Sequence, residues 1–270
     1  MDINAYLDRI GYQGSHLPTK QVLFDMHRAH LRAITYENLD IHLGRTLTLD
    51  IPHIFDKIVT QHRGGWCYEM NGLFAWALSE LGFAVTLLAS AVNREKLSDK
   101  AERNHLILRV QLERPYLVDV GFGNGFLQPL LLKPGHYQQG FLTYELAQND
   151  TRWFFSNHQY GGPGYDFTLQ PRTLHDFADK CRELQTDPES GFVRVVVCHR
   201  FTPSGIITLR GSVLRTLTDR GVQDETIQDE ATYRRVIREQ FDLQLVEEEI
   251  ATLWHIVWKK HQAYLNENSE

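Results

Sequence analysis

Arg63-Gly64-Gly65-Trp66-Cys67-Tyr68-Glu69 is the stretch where a glycine loop runs into a helix and sets a cysteine at its mouth. From Cys67 onward, Met70, Leu73, Phe74, Ala77, Leu78 and Leu81 recur with the spacing of an amphipathic helix, and Gly82 supplies the stop. Cys67 continues the inward stripe while occupying the first turn, where unpaired N–H groups and the helix dipole favour an anion. A thiolate is the anion expected there. Gly64 and Gly65 serve backbone geometry and close approach at that cysteine. The opposite charges of Arg63 and Glu69 predict an ion pair that pins the turn.

Working outward, the residues before about 83 are mainly helical in pattern, at 2–10, at 19–32 behind Pro18-Thr19, and at 51–62 with Pro52 in the first turn. A small helical bundle is expected. From 84 to about 170 the period becomes two, in the runs Ala84–Val92, His105–Leu112, Tyr116–Phe122, Arg152–Asn157 and Tyr165–Leu169, which predicts an antiparallel sheet or barrel. A helical stretch at 172–185 follows, then the apolar run Val193–Cys198, strands at Ile206–Leu209 and Val213–Leu217, and helices at 229–240 and 246–264. The polar tail Asn266–Glu270 is expected to fray. The fold class is therefore α+β.

Composition narrows the function classes. With 28 basic and 34 acidic residues the net charge is −6, and no long basic block marks a nucleic-acid footprint. No apolar run approaches the ~20 residues of a membrane helix, and Met1-Asp2-Ile3-Asn4 lacks the pattern of a signal peptide, which predicts a cytoplasmic protein. Cys67, Cys181 and Cys198 form an odd set without CxxC spacing, which argues against a disulfide frame or a zinc knuckle. His27 and His30 share a helix face, but no carboxylate or third ligand sits at a matching spacing. They are read as a solvated surface, and no metal is expected.

A nucleophilic cysteine needs a base and an orienting acid. His105 begins the run His105-Leu106-Ile107-Leu108, and Asp119 sits inside Tyr116-Leu117-Val118-Asp119-Val120, where an unpaired carboxylate would be costly. The two runs should pair as a hairpin across Glu113-Arg114-Pro115. Both numbers are odd, so the two side chains share a face only when the connection has an odd length or a bulge. A three-residue connection or a bulge is predicted. The competing assignments are a surface role for His105 and an Arg109 partner for Asp119.

Together, Arg63–Glu69 with Asn71-Gly72, Asn104-His105 and Val118-Asp119-Val120-Gly121-Phe122-Gly123 resemble the arylamine N-acetyltransferases. Tyr36-Glu37-Asn38-Leu39-Asp40 and Asp187-Pro188-Glu189-Ser190-Gly191-Phe192 are similar to two further segments of that family, with Tyr36 in place of a Phe and Asp187 in place of a Ser. The resemblance implies a helical bundle (1–83) carrying Cys67, a central antiparallel β-barrel (84–190) carrying His105 and Asp119, and a C-terminal α/β lid (191–270), around a core like that of cysteine proteinases. It also implies catalytic roles for Cys67, His105 and Asp119 in a ping-pong transfer. An acetyl group would pass from acetyl-CoA as co-substrate to an arylamine, N-hydroxyarylamine (hydroxylamine) or hydrazine. Either a monomer or a homodimer is compatible with this.

Gly121-Phe122-Gly123-Asn124-Gly125 lacks the Lys-Ser/Thr of a Walker A loop, but alternate glycines expose backbone N–H groups. Gly123, Asn124 and Gly125 are therefore candidate cofactor contacts, and Tyr36, Tyr68 and Phe122 candidate substrate contacts. Arg94, Lys96, Lys100 and Arg103 form a basic stretch that reads either as a solvated loop, the commoner meaning of such a run, or as a contact for the CoA phosphates. Two other readings stay open: a cysteine hydrolase (amidase or peptidase) with the same three residues, and a non-catalytic binding protein with a structural cysteine.

Overall fold

A computed structural model describes residues 1–267. Asp2 and Thr19 cap helices α1 (Ile3–Arg9) and α2 (Lys20–Ala33) by accepting the Asn4 and Val22 N–H groups. A two-residue strand β1 (Tyr36–Glu37), a single turn α3 (Leu39–His42) and α4 (Ile51–Phe55) follow. The predicted helix over 51–62 is not uniform, because Asp56–Thr60 form a π turn. That wider turn brings three consecutive residues, Lys57, Ile58 and Val59, to the interior. Helix α5 (Cys67–Glu80) is buried on almost every side, with Tyr68, Asn71 and Ala75 as deep as the expected stripe. Bundle helices cover one flank and strands of the barrel the other, so this is a central helix rather than a one-faced one.

The next strands are β2 (Ala84–Val92), then, after a short turn of helix α6 (Arg94–Leu97), β3 (His105–Gln111), β4 (Pro115–Val118), β5 (Leu130–Leu131), β6 (Gly135–Gln139), β7 (Leu142–Asn149), β8 (Arg152–Ser156) and β9 (Tyr165–Arg172). They form one antiparallel sheet in the order β5-β4-β3-β2-β9-β8-β7-β6, a nearly closed barrel. The β6–β7 hairpin lies outside the expected strands: β6 has no fully buried side chain to mark a period of two, but Leu142, Tyr144 and Leu146 of β7 alternate inward and carry the signal. The β3–β4 hairpin pairs Arg109 with Leu117 and Gln111 with Pro115 across a three-residue connection, Leu112–Arg114. His105 and Asp119 therefore fall on one face, as the parity argument requires. The strand ends at Val118, four residues short of the predicted end, because Asp119 and Val120 turn their N–H groups to side chains instead of a neighbouring strand.

Past the barrel lie α7 (Ala178–Thr186), α8 (Gly191–Arg194), strands β10 (Val197–Phe201), β11 (Gly205–Arg210), β12 (Val213–Thr218) and β13 (Gly221–Thr226), then α9 (Glu230–Arg235) and α10 (Glu247–Glu267). The sheet order β1-β10-β11-β12-β13 contains a surprise: its first strand comes from the N-terminal segment. Helix α10 includes Asn266 and Glu267 of the tail expected to fray, and 268–270 lie outside the described residues. Among the described residues no helix is long and apolar enough to cross a membrane. One large core joins bundle and barrel, a second lies under β10–β13, and a third, with Trp66, Leu106, Phe177 and Cys181, surrounds Cys67.

Candidate active site

Cys67 is the first residue of α5, behind Trp66 at the N-cap. Glu69 accepts the Trp66 N–H at 3.2 Å, half of a capping box; an indole has no acceptor to return the other half. The Arg63-Gly64-Gly65 turn lies so close to the preceding strand that a Cβ on Gly64 would meet the Thr35 carbonyl oxygen at 2.2 Å. The predicted Arg63–Glu69 ion pair does not form. Arg63 instead donates to Asp40 (2.9 Å) and Glu37 (3.3 Å), while Lys57, brought inward by the π turn, meets Glu69 (2.9 Å) and Asp40 (2.8 Å). Burial opposes the ammonium, but Glu69, Glu37 and Asp40 hold Lys57 charged. The turn is pinned through a buried network whose partners lie on other elements.

On the barrel side, His105 Nε2 lies 2.7 Å from Asp119 Oδ2, both side chains buried. The other carboxylate oxygen accepts from Asn71 Nδ2 (2.8 Å) and the Gly121 N–H (2.9 Å). Asn71, one turn along α5 from Cys67, also donates to the Leu106 carbonyl and accepts the Val120 N–H. The alternative partner for Asp119, Arg109, bonds to Gln111. Gly121 packs against the backbone of Cys67, since a Cβ there would sit 2.8 Å from Cys67 Cα and 2.6 Å from Asn71 Nδ2. Only glycine lets the loop after Asp119 close on the helix start.

Cys67, His105, Gly121, Phe122 and Tyr36 line one cavity of about 610 Å³, bounded on its far side by Leu184, Ser190 and Phe192. Burial works against the thiolate expected from the helix mouth. Burial pushes the Cys67 thiol well up, reinforced by Cys181 and Asp119, against a smaller pull from the Tyr68 backbone. A dry cysteine becomes a nucleophile only by giving its proton to a neighbour.

The other site expectations divide. Phe122 and Tyr36 reach the cavity, with Phe122 against His105 (5.3 Å between ring centroids) and Tyr36 against His199 (5.6 Å). Tyr68 does not: it is fully buried, and its hydroxyl donates to the Arg103 carbonyl. Asn124 borders a neighbouring cavity of about 320 Å³ with His199 and Arg210, whereas Gly123 and Gly125 border neither. In the basic stretch Arg94 is held by Asp166 and Glu102, and only Lys100 lines the cavity. His27 and His30 are not a solvated surface but fully buried. The sequence held the signal: Leu23, Met26, His27, His30, Leu31 and Ile34 are one stripe at helical spacing. Asn38 joins the two outlying segments, donating to the Phe192 and Val195 carbonyls and accepting the Val197 N–H. No group of three or more potential metal ligands occurs among the described residues.

A family model described as N-acetyltransferase matches residues 19–250. The chicken (Gallus gallus) arylamine N-acetyltransferase, pineal gland isozyme NAT-3, is 37% identical over 236 residues, 78% of this chain and 81% of that one. The chain belongs to the arylamine N-acetyltransferases. Human arylamine N-acetyltransferase 1 is 35% identical over 239 residues, 79% of this chain and 82% of its own. Among solved arylamine N-acetyltransferases, that of Mycobacterium marinum in complex with CoA superposes with a TM-score of 0.86 at 30% identity, covering 95% of this chain and 98% of that one. The Salmonella typhimurium enzyme gives 0.85 at 28% identity, over 94% and 97%. As a member of these acyltransferases the chain catalyses acetyl transfer, and its helical, barrel and α/β parts are those of an arylamine N-acetyltransferase.

Proposed function

We propose that the chain moves an acetyl group from acetyl-CoA to an arylamine, N-hydroxyarylamine or arylhydrazine in two steps through an acetyl-Cys67 thioester. The observation that carries this reading is the 2.7 Å His105–Asp119 contact in the wall of the cavity that Cys67 enters. With Nε2 engaged by Asp119, Nδ1 is the ring nitrogen left for the thiol. Proton transfer from Cys67 to His105 gives a thiolate–imidazolium pair, and Asp119 stabilises the cation. The thiolate attacks the thioester carbonyl, and CoA leaves with the proton from His105. The amine then attacks acetyl-Cys67, His105 takes its proton, and the thiolate departs. Backbone N–H groups at the start of α5 suit the developing oxyanion. The nucleophile sits on the 1–83 bundle, its partners on the 84–190 barrel, and 191–270 form the lid.

Two cations on the cavity wall, Lys100 and Arg210, have no ion pair among the described residues. Arg210 also borders both adjoining cavities, one of about 530 Å³ lined by Arg194, Arg215 and Lys260. An acyl-CoA with its thioester at Cys67 and its phosphates at Arg210 fits this distribution. The soluble enzyme would work in the cytoplasm. Intact mass after mixing with acetyl-CoA tests the reading. A single acetyl group on Cys67 with an equivalent of free CoA, discharged by an arylamine, is expected. No adduct and no CoA release would reject it, and discharge to water at the same rate without amine would point to a hydrolase.

A further inference from the structure

The segment from Asp119 to Leu127 lays Gly121 on Cys67 and Phe122 on His105, and one side chain holds both of its ends. His27, fully buried in α2, accepts the Asp119 N–H on Nε2 at 3.4 Å and meets the Leu127 carbonyl with Nδ1 at 3.0 Å. A peptide N–H only donates and a carbonyl only accepts, so Nε2 carries the lone pair and Nδ1 the proton. The imidazolium would turn a second N–H against that of Asp119. Burial opposes that form, pushing His27 down to about 4. The ring stacks on Phe126 (5.7 Å between centroids, 10° between planes) and meets Phe74 edge-on.

Asn71, Gly121 and His105 satisfy the Asp119 carboxylate, but none of them holds the peptide that precedes its Cα. The direction of the Cα–Cβ bond, and so the aim of the carboxylate, follows that peptide. We propose that His27 is a positioning residue for acetyl transfer, bracing both ends of the 119–127 loop from α2 so that Asp119 stays aimed at His105. This rests on the reading of Cys67, His105 and Asp119 as the reacting set. His27 touches no reacting atom; it acts through Asp119.

His27→Phe keeps the ring and the stack but removes both hydrogen bonds, and His27→Gln keeps an amide able to accept and donate. For each folded variant, acetylation of Cys67 by p-nitrophenyl acetate and the pH profile of its alkylation by iodoacetamide are measured. In His27→Phe, acetylation should fall by about 10- to 100-fold. The alkylation midpoint should move up, the KM for acetyl-CoA should hold, and His27→Gln should restore part of the rate. A folded His27→Phe within about twofold of the parent in rate, or one that loses rate with an unmoved midpoint, overturns the proposal. Asp119→Asn run alongside separates the two failures. If it too changes neither rate nor midpoint, the reading of the reacting set falls; if it alters both while His27→Phe is silent, only the His27 proposal falls. Should His27→Phe not fold, the ring ¹⁵N shifts of the unaltered protein decide: a neutral, Nδ1-protonated ring supports the brace, and an Nε2-protonated one overturns it.

Discussion

Two polar clusters are buried on either side of the start of α5, and they are built on opposite principles. Behind the helix, three carboxylates (Glu37, Asp40, Glu69) meet two cations (Lys57, Arg63) in short ion pairs. Burial would raise the Asp40 carboxyl, yet Lys57 and Arg63 hold it well below the usual carboxylate range. In front of it, Asp119 is surrounded by an amide, a peptide N–H and an imidazole. Each buried cation of the first cluster lies between carboxylates from different elements, and none of these side chains lines the Cys67 cavity, so the cluster acts as an anchor. The second has one carboxylate with no fixed counter-charge: its titratable neighbours are the His105 imidazole and the Tyr165 phenol, and His105 opens on a cavity. Burial alone does not separate scaffold from chemistry; the number of fixed counter-charges does.

Removing the proposed nucleophile breaks the contrast most sharply. Cys67→Ala should lower acetyl transfer by on the order of 1,000-fold or more while the unfolding curve stays near that of the parent, as read by CoA release and urea titration. In the anchoring cluster the effect should be the reverse. Lys57→Met leaves Glu69 and Asp40 short of a cation and should cost about 3–5 kcal/mol in urea unfolding. The activity of the molecules that remain folded should change little; a large loss there would give the anchor a chemical role.

Acid provides the next test. Burial holds His27 and His199 neutral, each pushed down to about 4. In the unfolded chain a histidine binds its proton near 6.5. Below that value the unfolded state takes up protons the folded state refuses, so stability present above pH 6.5 should be lost as pH falls towards 4. The loss should be on the order of 3 kcal/mol per histidine, read as the shift of the urea midpoint with pH. A midpoint flat through this window would mean these rings are protonated in the fold. The smallest effect is at the rim: Arg210→Ala should raise the KM for acetyl-CoA roughly tenfold, about 1.4 kcal/mol, and leave acetylation by p-nitrophenyl acetate unchanged.

The sequence reading reached far for local reasons. The α5 start and the β2 boundaries follow from periodicity and caps, which neighbours along the chain dictate, whereas the odd β3–β4 connection follows only once His105 and Asp119 are required to share a face, and it lies one residue earlier than expected, at Leu112–Arg114. It failed where a residue's partner lies far away in the chain. Adjacency suggests an Arg63–Glu69 pair, but the partners come from residues 37, 40 and 57. For His27 and His30 the lack of a third metal ligand at a matching spacing points to a solvated face, whereas their place in the apolar stripe of α2 buries both.

Cys67 shows where the line falls. The chain's own order of residues determined that a cysteine starts a helix and that the segments match one family; that His105 and Asp119 share a face waited on the register of the β3–β4 hairpin. Only the tertiary structure shows how strongly burial works against that thiolate. Local dipoles favour a thiolate at a helix mouth, but the surrounding core removes the water that would stabilise it. Desolvation is a property of everything packed around an atom, and no stretch of sequence carries it alone.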